Sequence, residues 1–437
     1  MRSFSRRAGS IGAAVGIVLS ALGLAAAGLK LNPAQANPQF QPLLTAKPAA
    51  GGFSLALLKG GPTPASPSET LGPDGRPLSR DVETPLATPT RLTPGNSLGT
   101  DWQLFGSRGD RQNLLKSIDY SLRFMATPKS RDAYRNYPVE GVTHARVLRS
   151  LRRFRQLVVA AKSAKELQTA VAREFDLYAS VGRSGRGDVF FTGYFVPVYR
   201  ASRVRTEEFR YPLYRVPRDQ SQWQQPYPTR EELEGKDGEG TESLIKGQEL
   251  FWLRDRMEAF LVHIQGSARL QLPDGSISSV GYAGNNGYPY VSVGGEIAKD
   301  GKLPRRGMTL PVMIRWFEEN PGEINNYLPR NHRFIFFRET NGAPAQGNLN
   351  VTVSADRYLM PPGALALVNT SLPYVNGAGR IEYHRVNRFV LDQDTGSAMI
   401  GPGRADYFMG TGSRAGARAG VTGSTGRLYY LLLREAN

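Results

Sequence analysis

Apolar residues recur at helical spacing over the first strongly patterned part of the chain. The spacing predicts three helices, each with Ser or Thr near its start, over residues 111–125, 143–160 and 163–178. Basic side chains occupy the other faces of these helices, which is typical of solvated helix surface. The pattern therefore predicts a helical region ahead of the remainder of the fold.

From about Asp188 the pattern changes to short alternating runs rich in Val, Tyr, Phe and Ile, broken by Gly, Pro and Asn. Such runs predict strands, with one short helix within 305–318. The predicted strand segments are VFFTGYFVPVYRA, AFLVHIQGSARLQL, RFIFFRE, ALALVN, RFVLDQD and RLYYLLL. Many short strands separated by turn signals indicate compact β-barrels.

The N-terminal hundred residues differ in composition from the rest of the chain. Basic residues precede an apolar run over 11–29, and Ala34-Gln35-Ala36 has the form of a signal peptidase site. We predict a signal peptide or membrane anchor over 1–36, cleaved after Ala36 and exported by the Sec route. Residues 37–100 are rich in Pro, Gly, Ser and Thr, which predicts a disordered linker.

Composition narrows the chemistry. The 437 residues include no Cys, so disulfides, thiolate nucleophiles and lipid attachment at a cysteine are excluded. The four histidines have no metal-binding spacing, and we expect no metal and no cofactor. The formal net charge is +17. In an exported chain this charge favours attraction to the polyanionic cell wall over nucleic acid binding.

A segment near the C-terminus, DTGSAMIGPGRAD, places Asp394 and Asp406 among turn-forming residues. Gly396, Gly401 and Gly403 permit backbone angles closed to other residues and Pro402 fixes one more, so we expect Asp406 on a shaped loop rather than in a regular element. A carboxylate held in this way can do proton chemistry. The alternative is an Asx-type turn, in which both aspartates only hydrogen-bond to nearby backbone amides.

This segment resembles the C-terminal three-aspartate domain of the membrane-bound lytic transglycosylase A family. The family pattern runs D-T-G-G-A-I-x-G, then an Asp, then G-x-G, and here Gly410-Thr411-Gly412 follows Asp406. Four upstream segments resemble the family's other blocks, in the family's order. They are FTGYFVPVY, FLVHIQGSARLQLPDG, GYAGNNGYPYVSVGG and NHRFIFFRE.

The resemblance implies a mainly β fold, in which a double-psi β-barrel domain carries a smaller inserted β-barrel domain and is accompanied by N-terminal helices. We expect the helices and the catalytic barrel over 101–199 and 336–437. The inserted substrate-binding barrel is expected over 200–335. A glycan would then bind in the cleft between the two barrels.

The resemblance further implies a lytic exotransglycosylase, a non-hydrolytic lyase, which cleaves the MurNAc–GlcNAc β-1,4 bond of peptidoglycan and leaves 1,6-anhydromuramic acid ends. Asp406 matches the family's catalytic acid, and Asp394 would support its loop and charge. The residues themselves leave exo and endo action open. They also leave open an inverting, cellulase-like glycoside hydrolase and a non-catalytic wall-binding module.

Expected partners are peptidoglycan glycan strands and no nucleic acid, for a monomer in the periplasm or cell envelope. Membrane contact through the N-terminal segment stays open. The resemblance implies glycan contacts at Thr192, Gly193, Tyr194, Gln265, Gly266, Ser267, Tyr282, Asn286 and Tyr288.

Two local expectations complete the picture. The segment from Phe260 to Gly275 is predicted to be a hairpin, which makes Asp274 a turn residue rather than a catalyst. The family's third aspartate is expected within 364–373, where Val368 or Asn369 stands instead. The sequence thus predicts a site that works with two aspartates.

Overall fold

This computed structural model describes residues 84–91, 99–106, 109–340, 352–396 and 399–435. The predicted signal segment and most of the predicted linker lie outside the described residues. Across the described ranges, no helix is both long and apolar enough to span a bilayer.

The helices cluster before the barrel strands and within the middle of the chain. They are α1 (Arg111–Met125), α2 (Pro128–Tyr134), α3 (His144–Ala160), α4 (Ala164–Glu174), α5 (Arg230–Glu234), α6 (Arg256–Gln265), α7 (Val293–Lys299), α8 (Leu310–Glu319), α9 (Ile324–Tyr327) and α10 (Ser413–Ala419).

The strands account for most of the remaining regular structure. They are β1 (Thr90–Arg91), β2 (Phe175–Ala179), β3 (Val189–Val196), β4 (Val198–Ser202), β5 (Tyr211–Tyr214), β6 (Glu249–Leu253), β7 (Ser267–Gln271), β8 (Ile277–Asn285), β9 (Ile335–Glu339), β10 (Thr352–Ser354), β11 (Leu365–Val375), β12 (Ile381–Asp394), β13 (Arg404–Thr411) and β14 (Gly423–Leu433).

Six strands form a closed barrel in the order β14-β11-β12-β10-β13-β3, with β3 pairing back onto β14. The pairs β10–β12 and β13–β3 are parallel, and the other pairs of the ring are antiparallel. The strands β2 and β1 extend this sheet from β14. The predicted mainly β fold built on a closed barrel is confirmed.

The strands β4 to β9 form a second, six-stranded sheet in the order β5-β6-β4-β7-β8-β9. Its apolar core is separate from that of the barrel, where residues of α1 and α3 pack on the barrel strands. The chain enters the second sheet directly after β3 and leaves it after β9, before the remaining barrel strands. The two sheets are therefore built on two distinct cores.

The three helices predicted ahead of the barrel are confirmed. The helix α1 spans the predicted 111–125, and α3 begins after Thr143, whose hydroxyl oxygen accepts the Arg146 N–H. The last helix ends earlier than predicted, at Glu174, because the residues after it pair with β14 as strand β2.

The prediction of a strand over AFLVHI is wrong, because these residues belong to α6. The Asp255 carboxylate accepts the Glu258 N–H at 2.9 Å and begins the helix. Gly266, with a φ of 71°, ends it in the left-handed conformation that favours glycine. The rest of the predicted hairpin is correct, since β7 pairs with β8 across the turn that contains Asp274.

The last part of the predicted linker is ordered. Leu86 is buried and bridges Ser180, and Thr90 pairs with Leu177 of β2. Residues 84–91 therefore lie against the barrel sheet rather than in a tether, because one apolar side chain and a few backbone hydrogen bonds hold them there.

Candidate active site

The two predicted catalytic aspartates come together on β12 and β13, the two barrel strands that flank β10. Asp406 of β13 is the register partner of Ser354 on β10 and of Thr192 on β3. Ser354 is in turn the partner of Asp394, the last residue of β12. Register partners project their side chains from the same face of a sheet. Both aspartates therefore share one face, with Ser354 between them.

The segment between the aspartates is a loop held by hydrogen bonds. The Asp394 carboxylate accepts the Thr395 N–H at 2.8 Å, and the Gly401 N–H donates to the Asp356 Oδ2 atom at 2.9 Å. Gly401 has a φ of 80°, which favours glycine. Asp406 itself lies inside β13. The prediction that it sits on a loop is wrong, because strands pair with this segment on both sides.

The Asp406 carboxyl group is partly open to solvent, with 21% of its side chain exposed. Its Oδ1 atom is inaccessible and has no hydrogen-bond donor among the described residues. The Nη2 atom of Arg404 lies 3.5 Å from Oδ1 and donates to the Thr192 hydroxyl oxygen at 2.9 Å. The open side of the carboxyl group is therefore that of Oδ2.

Both aspartates hold protons more tightly than ordinary carboxyl groups. Burial raises the pKa of Asp406, and the positive charge of Arg404 opposes this rise. Burial also raises the pKa of Asp394 to about 6, with the Tyr194 hydroxyl opposing the rise and the charge of Asp406 adding to it. A carboxyl group with a raised pKa stays protonated nearer to neutral pH, as a general acid requires.

Tyr194 adds an aromatic side chain to this face. Its hydroxyl group stabilises the Asp394 carboxylate, and burial raises the pKa of Tyr194 well above its ordinary value. Its ring packs on Phe408 with 5.1 Å between the centroids. The predicted residues Thr192 and Tyr194 thus both lie beside the acid pair.

Two further aspartates, which sequence reasoning missed, lie behind the pair. Asp356 is fully buried and also accepts the Tyr358 N–H at 3.0 Å. Asp392 is buried too, and burial raises its pKa to about 7, while a hydrogen bond at 2.5 Å from the Tyr430 hydroxyl opposes the rise. Across the described part of the chain, no group of three or more acidic or histidine side chains has a metal-binding arrangement.

That the site works with two aspartates stays a prediction, although the Asp356 carboxylate holds the loop between them through the Gly401 N–H. Val368 is buried within β11, and Asn369 donates to the side chain of Asn387. Asp356 comes from the end of the short strand β10. The signal for it was an Asp directly after the alternating run T-V-S-A, ahead of the turn that contains Pro361.

One predicted element links the second sheet to the barrel. The Gln265 Oε1 atom accepts the Phe195 N–H at 3.1 Å, which brings the end of α6 to the residue after Tyr194. Gly266 then ends the helix, and Ser267 begins β7. This predicted Q-G-S element is thus close in the fold to the strand that flanks Asp406.

The loop after β8 contains the other predicted contacts. Asn286 is 2% exposed, and its Nδ2 atom donates to the carbonyl oxygens of Pro228 and His332, both at 2.8 Å. Its Oδ1 atom accepts the Phe334 N–H at 2.8 Å. Asn286 therefore holds the loop in place with both ends of its amide group, and its glycan contact stays a prediction.

The two predicted tyrosine contacts, Tyr282 within β8 and Tyr288 in the loop after it, differ in their access to solvent. Tyr282 is 45% exposed, whereas the hydroxyl group of Tyr288 donates to the Tyr227 carbonyl oxygen at 2.7 Å. This loop lies near the barrel. The positive charge of Arg404, in the barrel strand β13, acts on the Tyr290 hydroxyl group and opposes the rise in its pKa. Tyr282 is thus the more accessible of the two predicted contacts.

Gly193 has a different role from the one predicted. A Cβ atom at this position would lie 2.8 Å from the Ala419 Cα atom and 2.9 Å from the Thr422 hydroxyl oxygen. The close approach that requires glycine is therefore made by α10 of the same chain rather than by a glycan.

Comparison with known proteins gives consistent matches. Residues 190–338 match the model of the MltA specific insert domain, and residues 351–432 match that of the 3D domain. The membrane-bound lytic murein transglycosylase A of Escherichia coli strain K12 is 31% identical over 264 residues, which cover 59% of this chain and 69% of that protein. The enzyme of that name from Vibrio cholerae is 29% identical, over 58% of this chain and 68% of its own.

A solved structure supports the fold. The crystal structure of E. coli MltA with bound chitohexaose superposes with a TM-score of 0.61 at 21% identity, over 84% of this chain and all of that one (100%). Since both sequence models, the curated relatives and the architecture agree, the chain belongs to the membrane-bound lytic murein transglycosylase A family.

Proposed function

We propose that this protein is a lytic transglycosylase that cleaves the MurNAc–GlcNAc β-1,4 bond of peptidoglycan and forms 1,6-anhydromuramic acid ends. The observation that carries the proposal is Asp406, a carboxyl group with a raised pKa, one open side and a second carboxyl group on the same face. The names of the curated relatives support it.

In the first step, protonated Asp406 donates its proton to the glycosidic oxygen, and the bond from that oxygen to the muramyl C1 atom breaks. Burial favours the protonated form that this step needs. Since Oδ1 faces Arg404, the proton leaves from the Oδ2 side.

In the second step, the 6-hydroxyl oxygen of the same muramyl residue bonds to C1, and the Asp406 carboxylate takes the hydroxyl proton. The acid is then back in its starting form, and no water is consumed. Because the nucleophile is already part of the bound substrate, positioning replaces the second carboxylate that a hydrolase uses to activate water.

We assign glycan contacts to the face of the barrel around Thr192 and Tyr194 and to the second sheet near Gln265 and Tyr282. Hydroxyl and amide groups can hydrogen-bond to sugars, and an exposed tyrosine ring can stack on the apolar face of one. The glycan-bound E. coli structure supports this choice of ligand class. We further propose double-psi winding of the barrel and a substrate-binding role for the inserted domain.

A peptidoglycan substrate requires the protein to work in the cell envelope. We therefore retain the proposals of export through the N-terminal segment and of function as a monomer. Attraction of the strongly basic chain, with a formal net charge of +17, to the anionic wall supports this location.

The proposal is tested by digesting purified sacculi in oxygen-18 water and analysing the glycan ends by mass spectrometry. We expect 1,6-anhydromuramic ends that carry no label. Asp274→Asn is the matched control, because Asp274 is an exposed turn residue whose carboxylate only holds the hairpin turn. It should give the same products at the same rate.

Two outcomes would favour the alternatives. Labelled reducing ends as the main product would identify a glycoside hydrolase that admits water. Binding to sacculi without turnover would identify a wall-binding module.

A further inference from the structure

Arg404 is a buried cation with few hydrogen bonds. Its side chain is 6% exposed, and it lies two residues before Asp406 on the same face of β13. Its Nη2 atom donates to the Thr192 hydroxyl oxygen, whereas Nε and Nη1 have no partner among the described residues. Buried polar groups are nearly always hydrogen-bonded, so this arrangement calls for an explanation.

The spacing between Arg404 and Asp406 is too long for a strong hydrogen bond. At 3.5 Å between Nη2 and Oδ1, the guanidinium acts on the carboxyl group mainly through its charge. A charge-assisted pair normally closes to about 2.7–2.9 Å. The same Nη2 atom donates to the Thr192 hydroxyl oxygen at 2.9 Å, so its short hydrogen bond is made to Thr192 and not to Asp406.

Several other ionisable groups surround this pair. Asp394 of β12 faces Asp406 and carries the same charge, while Arg357, after β10, lowers the pKa of Asp394. Tyr194 of β3 interacts with both aspartates, and Tyr290 lies near Arg404. Arg404 is the cation that acts directly on Asp406.

We propose that Arg404, held at a distance by Thr192, is a positioning residue that sets the proton affinity of Asp406 for both halves of the reaction. Without the guanidinium, burial alone would make the acid release its proton less readily. With a closed ion pair, the acid would be deprotonated before the substrate arrived. The inference rests on the proposed function, in which one carboxyl group must both donate and accept a proton.

The pKa of Asp406 is measured in substrate-free protein by carbon-13 NMR of labelled aspartate carboxyl groups, with Asp406→Asn identifying the signal. Replacing the cation by Arg404→Gln should raise this pKa by about one unit or more, because an opposite charge at this range typically shifts a carboxyl group by 1–3 units. Arg404→Lys keeps the charge and should shift it less.

The Thr192 variants test the hydrogen bond from Arg404 with an effect of opposite sign. Thr192→Val removes the hydroxyl acceptor, so the guanidinium closes on Asp406 and the pKa of Asp406 falls. Thr192→Ser keeps the hydroxyl group and should leave the pKa close to that of the wild type. A role confined to packing would not move the titration in opposite directions.

The high-pH limb of the kcat/KM profile on sacculi should follow the same shifts, upward in Arg404→Gln and downward in Thr192→Val. An unchanged Asp406 pKa in folded Arg404→Gln protein would overturn the inference. If Arg404→Gln does not fold, the Thr192 pair decides: a fall in the valine variant alone supports the inference, and no fall overturns it. The NMR titration measures the pKa of Asp406 without substrate. The inference can therefore fail while the protein still cleaves glycan, and the proposed function can fail while the pKa shifts are as expected.

Discussion

Two buried arginine–carboxylate groups in this protein differ in how completely the carboxyl group is paired. In the second sheet region, Glu234 accepts from Arg230 at 3.0 Å and from Arg256 at 3.2 Å. The remaining guanidinium nitrogens of Arg230 donate to the carbonyl oxygens of Asn331 and Arg333. On the barrel, Arg404 and Asp406 stand 3.5 Å apart without a hydrogen bond to join them.

The difference separates a structural pair from a reactive one. A carboxylate that is fully paired with guanidinium groups holds no proton and contributes to the fold. A carboxyl group that is buried but left incompletely paired keeps a raised pKa and can exchange a proton with a substrate. Substitutions at Asp406 and at Glu234 test this difference.

The largest effect is expected at the reactive pair. Asp406→Asn should lower turnover on sacculi by about 10²–10⁴-fold or more, because a general acid contributes about this much and here acts in both steps. Thermal denaturation checks that the variant is folded. Turnover near the wild-type rate in the folded variant would reject Asp406 as the acid.

The structural pair should show the reverse pattern. Glu234→Gln should lower the free energy of unfolding by about 3–5 kcal/mol, because it leaves buried arginine charge uncompensated. Turnover per folded molecule should stay close to that of the wild type. Denaturant titration measures the first and active-site-normalised assays the second. Glu231→Gln, an exposed position in the same helix α5, is the matched control and should be neutral in both.

A smaller effect should distinguish Asn286, which supports the loop after β8, from Tyr282 of β8, which is expected to contact the glycan. Asn286→Ala should cost about 1–3 kcal/mol of stability, because the Phe334 N–H and two carbonyl oxygens lose their buried partner. Tyr282→Ala should leave stability within about 0.5 kcal/mol and raise KM. Equal changes in KM and no loss of stability for both variants would contradict this division.

The smallest effect is a pH dependence at Asp392. Its pKa is about 7 in the folded protein and about 3.9 when unfolded, so its contribution to stability is present below pH 4 and lost as the pH rises towards 7. Asp392→Asn carries no charge at any pH. The Tm of this variant should therefore rise relative to that of the wild type, by several °C, between pH 4 and pH 8, as calorimetry can measure. A constant difference would show that Asp392 does not titrate in this range.

Sequence patterning was sufficient where local signals agreed with the tertiary context. The helix α1 was predicted with its observed bounds, and the hairpin turn at Asp274 was correct, because periodicity and turn chemistry are local. The helix α6 was missed because its apolar residues suit a strand equally well. The capping residue Asp255 and the terminating Gly266 were the signals that decided it.

The candidate site was predictable in its acids but not in its support. The residues Asp394 and Asp406 stand out in the sequence because a motif contains them both. Arg404 lies beside Asp406 because alternate residues of β13 share one face, and its importance comes from its burial, which is a tertiary property. Asp356 reaches the site through the fold, since its carboxylate accepts the Gly401 N–H of the loop between the two aspartates. Asn286 was assigned to the glycan because the sequence does not show its burial or its three hydrogen bonds, which are properties of the tertiary structure.

The parallel pairing of β3 with β13 has a consequence for the timing of folding. These strands are separated along the chain by the whole second sheet, so their pairing closes a long loop and forms late, because its entropic cost must be met before the contacts form. Until that closure, Asp406 is an ordinary solvated acid that releases its proton well below neutral pH. We therefore expect the nascent chain to lack a working acid until this long-range strand pair is in place.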